Sequence, residues 1–227
     1  MGWLLTFFKS SLGKKLLMSL TGLFLCSFLL VHLAGNFSLF VGKDAFNAYT
    51  NILSANPLIK VAEIMMIVFF GIHLLTSTQL TLENRSARPE GYAMDVSAGA
   101  RTFMSSYMFH TGSVVLIFLL VHIITFKYGN WSNDPAMASS VGNETLYDLV
   151  VTSFSKPYYA IGYIVAMIGV GFHLNHAFQS AFQTLGLNHK KYTPIIKSFG
   201  TLYSIVIAIG FAIFPAYFLF INLSTGS

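Results

Sequence analysis

Five apolar segments, each long enough to cross a lipid bilayer, constrain this chain more than any other feature. We predict spans at about 16–41, 58–80, 102–128, 158–182 and 199–223. About 20 residues of helix cross the hydrocarbon core, and the backbone there must satisfy its own hydrogen bonds. The chain is therefore predicted to be all-α, a polytopic bundle of five transmembrane helices. We expect residues 1–227 to form one domain, without an internal repeat.

The composition supports a membrane protein and argues against a soluble one. The 227 residues are 55% hydrophobic and 9% charged, whereas a soluble domain carries about 25% charged residues. The net charge of +5 does not predict nucleic-acid binding, because no basic surface domain accompanies it. A single cysteine, Cys26, excludes a disulfide framework within the chain.

The distribution of basic residues predicts the orientation in the membrane. Nine lie on the side of the N-terminus and four on the opposite side, and basic residues favour the cytoplasmic side. The N-terminus is therefore expected in the cytoplasm and the C-terminus outside. The nine are Lys9, Lys14, Lys15, Arg85, Arg88, Arg101, Lys190, Lys191 and Lys197, and the four are Lys43, Lys60, Lys127 and Lys156.

The first four spans each contain a histidine deep within the apolar run: His32, His73, His122 and His173. Ionisable residues inside a membrane are costly and usually functional. At 1.5 Å per residue, His32 and His122 lie about 24 Å or more from the cytoplasmic ends of their spans. His73 and His173 lie only about 10 and 13 Å from the cytoplasmic ends of theirs. Depth therefore predicts an outer pair, His32 with His122, and an inner pair, His73 with His173.

Paired imidazoles at two depths favour haem binding. Neutral imidazole is a ligand of haem iron, and one from each side can clamp the ring between helices. We predict that all four histidines are axial ligands of haem iron, in two bis-histidine sites. A histidine-lined metal transporter would want carboxylate or thiolate partners in its spans, and Glu63 is the one acidic residue there. For any single histidine, a structural or proton-relay role remains open.

Two further histidines lie close to the predicted sites. His176 follows His173 by three residues, so it is predicted to contact a haem propionate or to replace His173 as ligand. His110, near the cytoplasmic start of the third span, is either an interfacial residue or a second propionate contact. His189 lies in a basic connector and is expected to be solvated.

Several motifs along nearly the whole chain resemble a known family. They are His32-Leu33-Ala34-Gly35-Asn36, Gly71-Ile72-His73, Arg101-Thr102-Phe103-Met104, Phe118-Leu119-Leu120-Val121-His122, and the run from His173 to Gly186, HLNHAFQSAFQTLG. With the five spans, they resemble the di-haem cytochrome b558 subunit of succinate dehydrogenase and fumarate reductase. The last motif is the longest and the most specific.

The resemblance implies a function. Members of this family anchor a flavoprotein and an iron–sulfur subunit on the cytoplasmic face of the bacterial inner membrane. Two haems b carry electrons between the iron–sulfur subunit and a membrane quinone, usually menaquinone, linking the tricarboxylic acid cycle to electron transport. By motif, His73 and His173 would ligate the inner haem, and His32 and His122 the outer one. Such a subunit reduces or oxidises quinone but does not act on succinate. A stand-alone haem b redox protein and a histidine-lined transporter are the alternatives.

Two positions concern proton transfer. Some fumarate reductases of the family have a glutamate two residues before the ligand of the fourth span, in a transmembrane proton path. Here that position is Gly171, which puts such a path in doubt. Near the outer end of the second span, Glu63 is a candidate to exchange protons with quinone, since burial there would raise its pKa. The alternative is a surface charge at the level of the lipid headgroups.

Overall fold

The computed structural model describes residues 2–87, 107–129 and 145–225, and nearly all of them are helical. The helices are α1 (Gly2–Lys9), α2 (Ser11–Asn36), α3 (Ser38–Val41), α4 (Lys43–Ala55), α5 (Pro57–Ser86), α6 (Met108–Ile123), α7 (Leu146–Phe154), α8 (Pro157–Thr184) and α9 (Thr193–Thr225). A π-helical turn, Ile124–Tyr128, continues α6.

All five predicted spans are present as helices of membrane-crossing length. Span 1 is Ser11–Val41, span 2 Pro57–Ser86, span 3 Met108–Tyr128, span 4 Pro157–Thr184 and span 5 Thr193–Ser224. The fold class is therefore a multi-pass helical membrane protein. We call the end of the bundle where span 1 begins the N-terminal end, and the end where span 5 finishes the C-terminal end. The predicted residues 102–106 of span 3 lie outside the described ranges.

Local signals explain where the spans begin. The Ser10 side chain caps span 1 by accepting a hydrogen bond from the Gly13 amide at 3.1 Å. Asn56 accepts from the Leu58 amide at 3.0 Å, and Pro57 occupies the first turn of span 2. Pro157 likewise occupies the first turn of span 4. Proline suits this position because the first helical amides have no partner within the helix.

The connection between spans 3 and 4 contains α7, a helix that the five predicted spans do not include. Thr145 caps this helix through a reciprocal capping box with Asp148. Leu149, Val150 and Phe154 are buried, so α7 is held by packing as well as by its cap. The Lys43 ammonium donates to the Asp148 carboxylate at 2.7 Å and thereby lowers the pKa of this carboxyl. It ties α4 to α7 at the C-terminal end.

The packed core lies among spans 1, 4 and 5. Span 5 packs along span 4, and span 1 packs against spans 2 and 4. Ile207 of span 5 is completely buried, and the Tyr203 hydroxyl donates to the Cys26 carbonyl at 2.7 Å. A Cβ at Gly210 would lie 2.7 Å from Leu33, so this glycine permits spans 1 and 5 to approach closely.

Spans 2 and 3 pack on different neighbours. Span 2 packs on span 1, and span 3 packs on span 4, but within the described residues spans 2 and 3 share no extended interface. Side chains connect them near both ends. Lys127 donates to Glu63 at the C-terminal end, and the Arg85 guanidinium lies 5.1 Å from the Phe109 ring centre at the N-terminal end.

Candidate functional site

The histidines of the first four spans approach one another in two pairs. The ring centres of His32 and His122 are 5.8 Å apart, with planes nearly perpendicular at 86°. His73 and His173 lie close enough that a charge on one acts on the other. These are the partners that the depth argument joined. The 73–173 pair lies towards the N-terminal end of the bundle and the 32–122 pair towards the C-terminal end.

His73 is held from span 1. Its Nδ1 lies 3.2 Å from the Met18 carbonyl oxygen and 3.5 Å from the Thr21 hydroxyl. A Cβ at Gly22 would lie 3.3 Å from Cε1 of the same ring. The imidazole therefore lies edge-on against a helix whose glycine leaves room for it.

His173 is held in the same way from span 3. Its Nδ1 lies 3.3 Å from the Thr111 hydroxyl, which itself donates to the Met108 carbonyl at 3.1 Å. Because the hydroxyl has one proton, it accepts from His173. A Cβ at Gly112 would lie 3.4 Å from Cε1 of the ring.

These contacts determine which nitrogen of each ring carries the proton. A backbone carbonyl can only accept, so the Met18 contact assigns the proton of His73 to Nδ1. The same assignment is made for His173, because the Thr111 proton is directed at the Met108 carbonyl. In each neutral ring, Nε2 then carries the lone pair that can bind a metal. The 73–173 pair thus offers two Nε2 atoms that could bind a metal.

The 32–122 pair has mainly aromatic neighbours. The Phe28 ring stacks on His32 with centres 5.2 Å apart and planes 13° apart. Around His122, the centres of Phe118 and Phe126 lie at 5.6 and 5.4 Å. Among the described residues, the buried Nδ1 of His122 has no hydrogen-bond partner. Buried polar atoms rarely lack a hydrogen-bond partner, so Nδ1 of His122 is a candidate functional atom.

The His32 ring has one polar neighbour. The Asn36 side-chain amide donates to the His32 carbonyl at 2.7 Å and lies 3.5 Å from each ring nitrogen. This contact comes from the same helix, so it does not fix the ring against another span. Neighbouring helices contact the 32–122 pair through rings, Phe211 at 5.5 Å from His32 and Tyr163 at 6.2 Å from His122. Among the described residues, hydrogen bonds from neighbouring helices reach the 73–173 pair.

The matched surroundings of His73 and His173 come from a repeat that we did not expect from the sequence. Segments 18–32 and 108–122 align without gaps and are identical at eight of fifteen positions. The identical pairs are Met18/Met108, Thr21/Thr111, Gly22/Gly112, Phe28/Phe118, Leu29/Leu119, Leu30/Leu120, Val31/Val121 and His32/His122. The expectation of no repeat was therefore wrong, and the constant offset of 90 residues is the signal that could have revealed it.

The following spans match at a different offset. Spans 2 and 4 align 100 residues apart, with identity at Pro57/Pro157, Ile64/Ile164, Gly71/Gly171, His73/His173, Leu74/Leu174 and Gln79/Gln179. Spans 1–2 and spans 3–4 are thus two copies of a two-helix unit in the same orientation, a known arrangement in membrane proteins. Each histidine pair takes one member from each copy.

Glu63, the candidate for proton exchange, does not lie in a buried position. Its side chain is 47% exposed and accepts from Lys127. Burial within the protein, on which the expectation of proton exchange depended, is therefore absent. Its exposed position and ion pair agree with the alternative of a charge near the headgroups.

The remaining candidates lie nearer the N-terminal end. His176 is half-buried and close enough to His173 for an electrostatic interaction. His110 is exposed, and its ring centre lies 5.8 Å from that of Tyr107. His189 is exposed, as expected, and its Nδ1 accepts from the Lys191 amide.

Two negative findings complete the description of the site. Within residues 2–87, 107–129 and 145–225, no group of three or more His, Cys, Asp and Glu side chains is arranged to hold a metal ion. Comparisons with protein-family models, with curated proteins and with solved structures find no match to the chain.

Proposed function

We propose that the chain is the di-haem membrane-anchor subunit of a succinate dehydrogenase or fumarate reductase, of the cytochrome b558 type. The observation that carries the proposal is the pair of two-histidine sites at two depths of a five-span bundle. Electrons would pass between an iron–sulfur partner and membrane quinone. Menaquinone is the quinone that the resemblance favours.

The spacing of the 32–122 pair fits a metal ion between two imidazoles. A metal bound at about 2 Å from one nitrogen of each imidazole would need ring centres about 6 Å apart. The observed separation is 5.8 Å. Two imidazoles without further protein ligands are also the donor set of a six-coordinate haem, whose four other ligands belong to the macrocycle.

The surroundings of the pairs fit a large flat ring. Spans 2 and 3 share no extended interface among the described residues, and Phe28 and Phe118 supply apolar surfaces beside the 32–122 pair. Gly22 and Gly112 leave room for the imidazoles of the 73–173 pair. The residues present therefore fit two haems b.

The chain's own contribution is to bind, orient and exclude water. When bound, haem supplies one-electron redox chemistry. Carbonyl and hydroxyl groups of spans 1 and 3 hold His73 and His173 in the form with a free Nε2. Apolar spans keep both pairs away from bulk water, and His110 and His176 remain the candidates to contact propionates.

Proton exchange with quinone is proposed at the C-terminal end, where Glu63 and Lys127 pair. This pair lies near the outer end of span 2, the level at which quinone is proposed to react. We expect Glu63→Gln to lower quinone turnover with both haems retained. Glu83→Gln, which removes the Lys14 partner at the other end of span 2, is the matched control, and unchanged turnover in Glu63→Gln would contradict this role.

The position of Gly171 bears on the proton path found in some relatives. A Cβ at this glycine would lie 3.0 Å from the Ala208 side chain of span 5. A glutamate there would have to displace span 5, so a path through this position is not part of the proposal.

The soluble partners are proposed to bind the N-terminal end, which orientation rules assign to the cytoplasm. Arg85 lies there, while Arg88 and Arg101 fall outside the described residues. A flavoprotein and an iron–sulfur protein that co-purify with the chain would support an anchor. Isolation of a haem protein without them would favour a stand-alone redox protein.

The visible absorption spectrum of the purified protein is the primary test. We expect two b-type haems per chain in the wild type and in His189→Ala, whose histidine is exposed in a connector. Each of His32→Ala, His122→Ala and His73→Ala should retain one haem. A wild-type protein without haem would reject the proposal and favour a histidine-lined transporter.

A further inference from the structure

The same threonine–glycine pair lies beside a histidine of the next span in both copies of the repeat. Thr21-Gly22 of span 1 meets His73, and Thr111-Gly112 of span 3 meets His173. Each threonine hydroxyl also donates back into its own helix, Thr21 to the Leu17 carbonyl at 2.7 Å and Thr111 to the Met108 carbonyl at 3.1 Å. The oxygen of each is therefore presented to the histidine as an acceptor.

We infer that these threonine–glycine pairs are positioning elements that set the orientation and electron donation of the 73–173 ligands. The inference rests on the proposed function, because it concerns haem-iron ligands. The glycine borders the ring: a Cβ would lie 3.3 Å from His73 at Gly22 and 3.4 Å from His173 at Gly112. The oxygen beside it holds Nδ1–H. Neither residue touches the metal.

The chemistry follows from the hydrogen bond. An acceptor at Nδ1–H makes the imidazole more electron-rich at Nε2 and fixes its rotation, and such partners strongly affect metal affinity. A more electron-rich ligand stabilises the oxidised iron and so lowers its reduction potential. Loss of the acceptor should therefore raise the potential of that haem and weaken its retention.

The two copies differ in how far the hydrogen bond at Nδ1 of the histidine depends on the threonine. At His73, the Met18 carbonyl is the nearer acceptor at 3.2 Å, and Thr21 lies at 3.5 Å. At His173, the acceptor among the described residues is the Thr111 hydroxyl at 3.3 Å. Removal of the Thr111 hydroxyl should have the larger effect, since no backbone carbonyl replaces it there within the described residues.

The test compares Thr111→Val, Thr111→Ser and Thr21→Val in the full-length protein. Valine keeps the shape of threonine and removes the acceptor, whereas serine keeps the acceptor. Redox titrations of the two haem absorption bands give both potentials, and the haem of the 32–122 pair serves as an internal reference. Transfer of haem to excess apomyoglobin measures retention independently of turnover.

We expect Thr111→Val to shift one haem to a more positive potential and to speed its transfer roughly 10-fold. Thr111→Ser should stay close to wild type, and Thr21→Val should shift less in the same direction. If Thr111→Val fails to accumulate, Thr111→Ala must give the same direction of shift in the haem potential.

The inference fails if Thr21→Val and Thr111→Ala also do not accumulate while Thr111→Ser behaves as wild type. The threonines would then serve helix packing.

Unchanged potentials in a Thr111→Val protein that holds both haems would overturn the inference and leave the proposed function intact. An equal shift in Thr111→Ser would also overturn it, because the shift would then not depend on the hydroxyl. Absence of haem from the wild type would instead reject the proposed function, and the inference with it.

Discussion

The two histidine pairs are built from equivalent positions of a repeat but are held by different forces. Hydrogen bonds from neighbouring helices fix both rings of the 73–173 pair. The rings of the 32–122 pair are surrounded mostly by Phe side chains, and Nδ1 of His122 has no partner among the described residues. Hydrogen bonds fix the rotation of a ring and its protonated nitrogen, whereas aromatic packing restricts its position but selects neither nitrogen. The 73–173 site is thus the more rigidly preorganised.

Replacement of a histidine should have the largest effect and tests the assignment itself. We expect His173→Ala to lose one haem, because His173 is a proposed ligand of the haem iron and its Nδ1 is held by Thr111. His176→Ala, one turn away, should retain both and is the matched control. Haem content per chain, measured as the pyridine haemochrome, checks this. Loss of haem from His176→Ala with retention in His173→Ala would reverse the assignment.

A methyl group at the glycines should perturb only the 73–173 pair. In Gly22→Ala the new Cβ would lie 3.3 Å from His73, so the ring must move by a few tenths of an ångström. In Gly112→Ala the distance is 3.4 Å, an ordinary contact, so this variant is the milder control. Redox titration should show a shifted potential for one haem in Gly22→Ala and a smaller shift in Gly112→Ala. A larger effect in Gly112→Ala would contradict the distances.

Removal of an aromatic neighbour should affect the other pair alone. Phe28→Leu removes the ring stacked on His32, and such aromatic contacts contribute about 0.5–1.5 kcal/mol beyond the area they bury. We expect faster haem loss from the 32–122 site without change at the 73–173 site. Phe24→Leu, whose ring packs edge-on against Phe69 instead, is the control. Haem transfer to apomyoglobin measures the rates, and equal acceleration in both variants would argue against a local effect.

The smallest expected effect concerns the ion pair between α4 and α7, which lie at the C-terminal end. Hydrogen bonding from Lys43 lowers the folded-state pKa of Asp148 below the ordinary value of 3.8. This stabilisation is present above the unfolded pKa and is lost as pH falls through the folded pKa. Lys43→Gln should therefore lower the apparent melting temperature slightly at pH 7 and no longer do so at a pH well below 3.8.

Thermal scans in detergent at both pH values measure this difference. Lys60→Gln, which replaces an exposed lysine of span 2, is the control. A deficit in Lys43→Gln that persists at the lower pH would show that the ion pair is not its cause.

The spans could be predicted from the sequence because hydropathy over some 20 residues reports membrane crossing directly. Helix α7 was missed because nine residues of mixed polarity give a weak signal, and its stability depends on Thr145 and on burial of Phe154. The exposure of Glu63 depends on how spans 2 and 3 sit apart, which local sequence does not report. Depth along each helix predicted pairs whose rings lie near each other, but the acceptors at Nδ1 come from neighbouring spans.

Because of the repeat, spans 1–2 and spans 3–4 correspond to the two subunits of a homodimer joined by a connector. Each histidine pair combines one residue from each copy, as a ligand on the two-fold axis of a dimer draws on both subunits. Neither half can complete a bis-histidine site alone. During biosynthesis, cofactor capture would therefore have to wait for span 4 to enter the membrane, and both sites become complete only when the second half has been inserted.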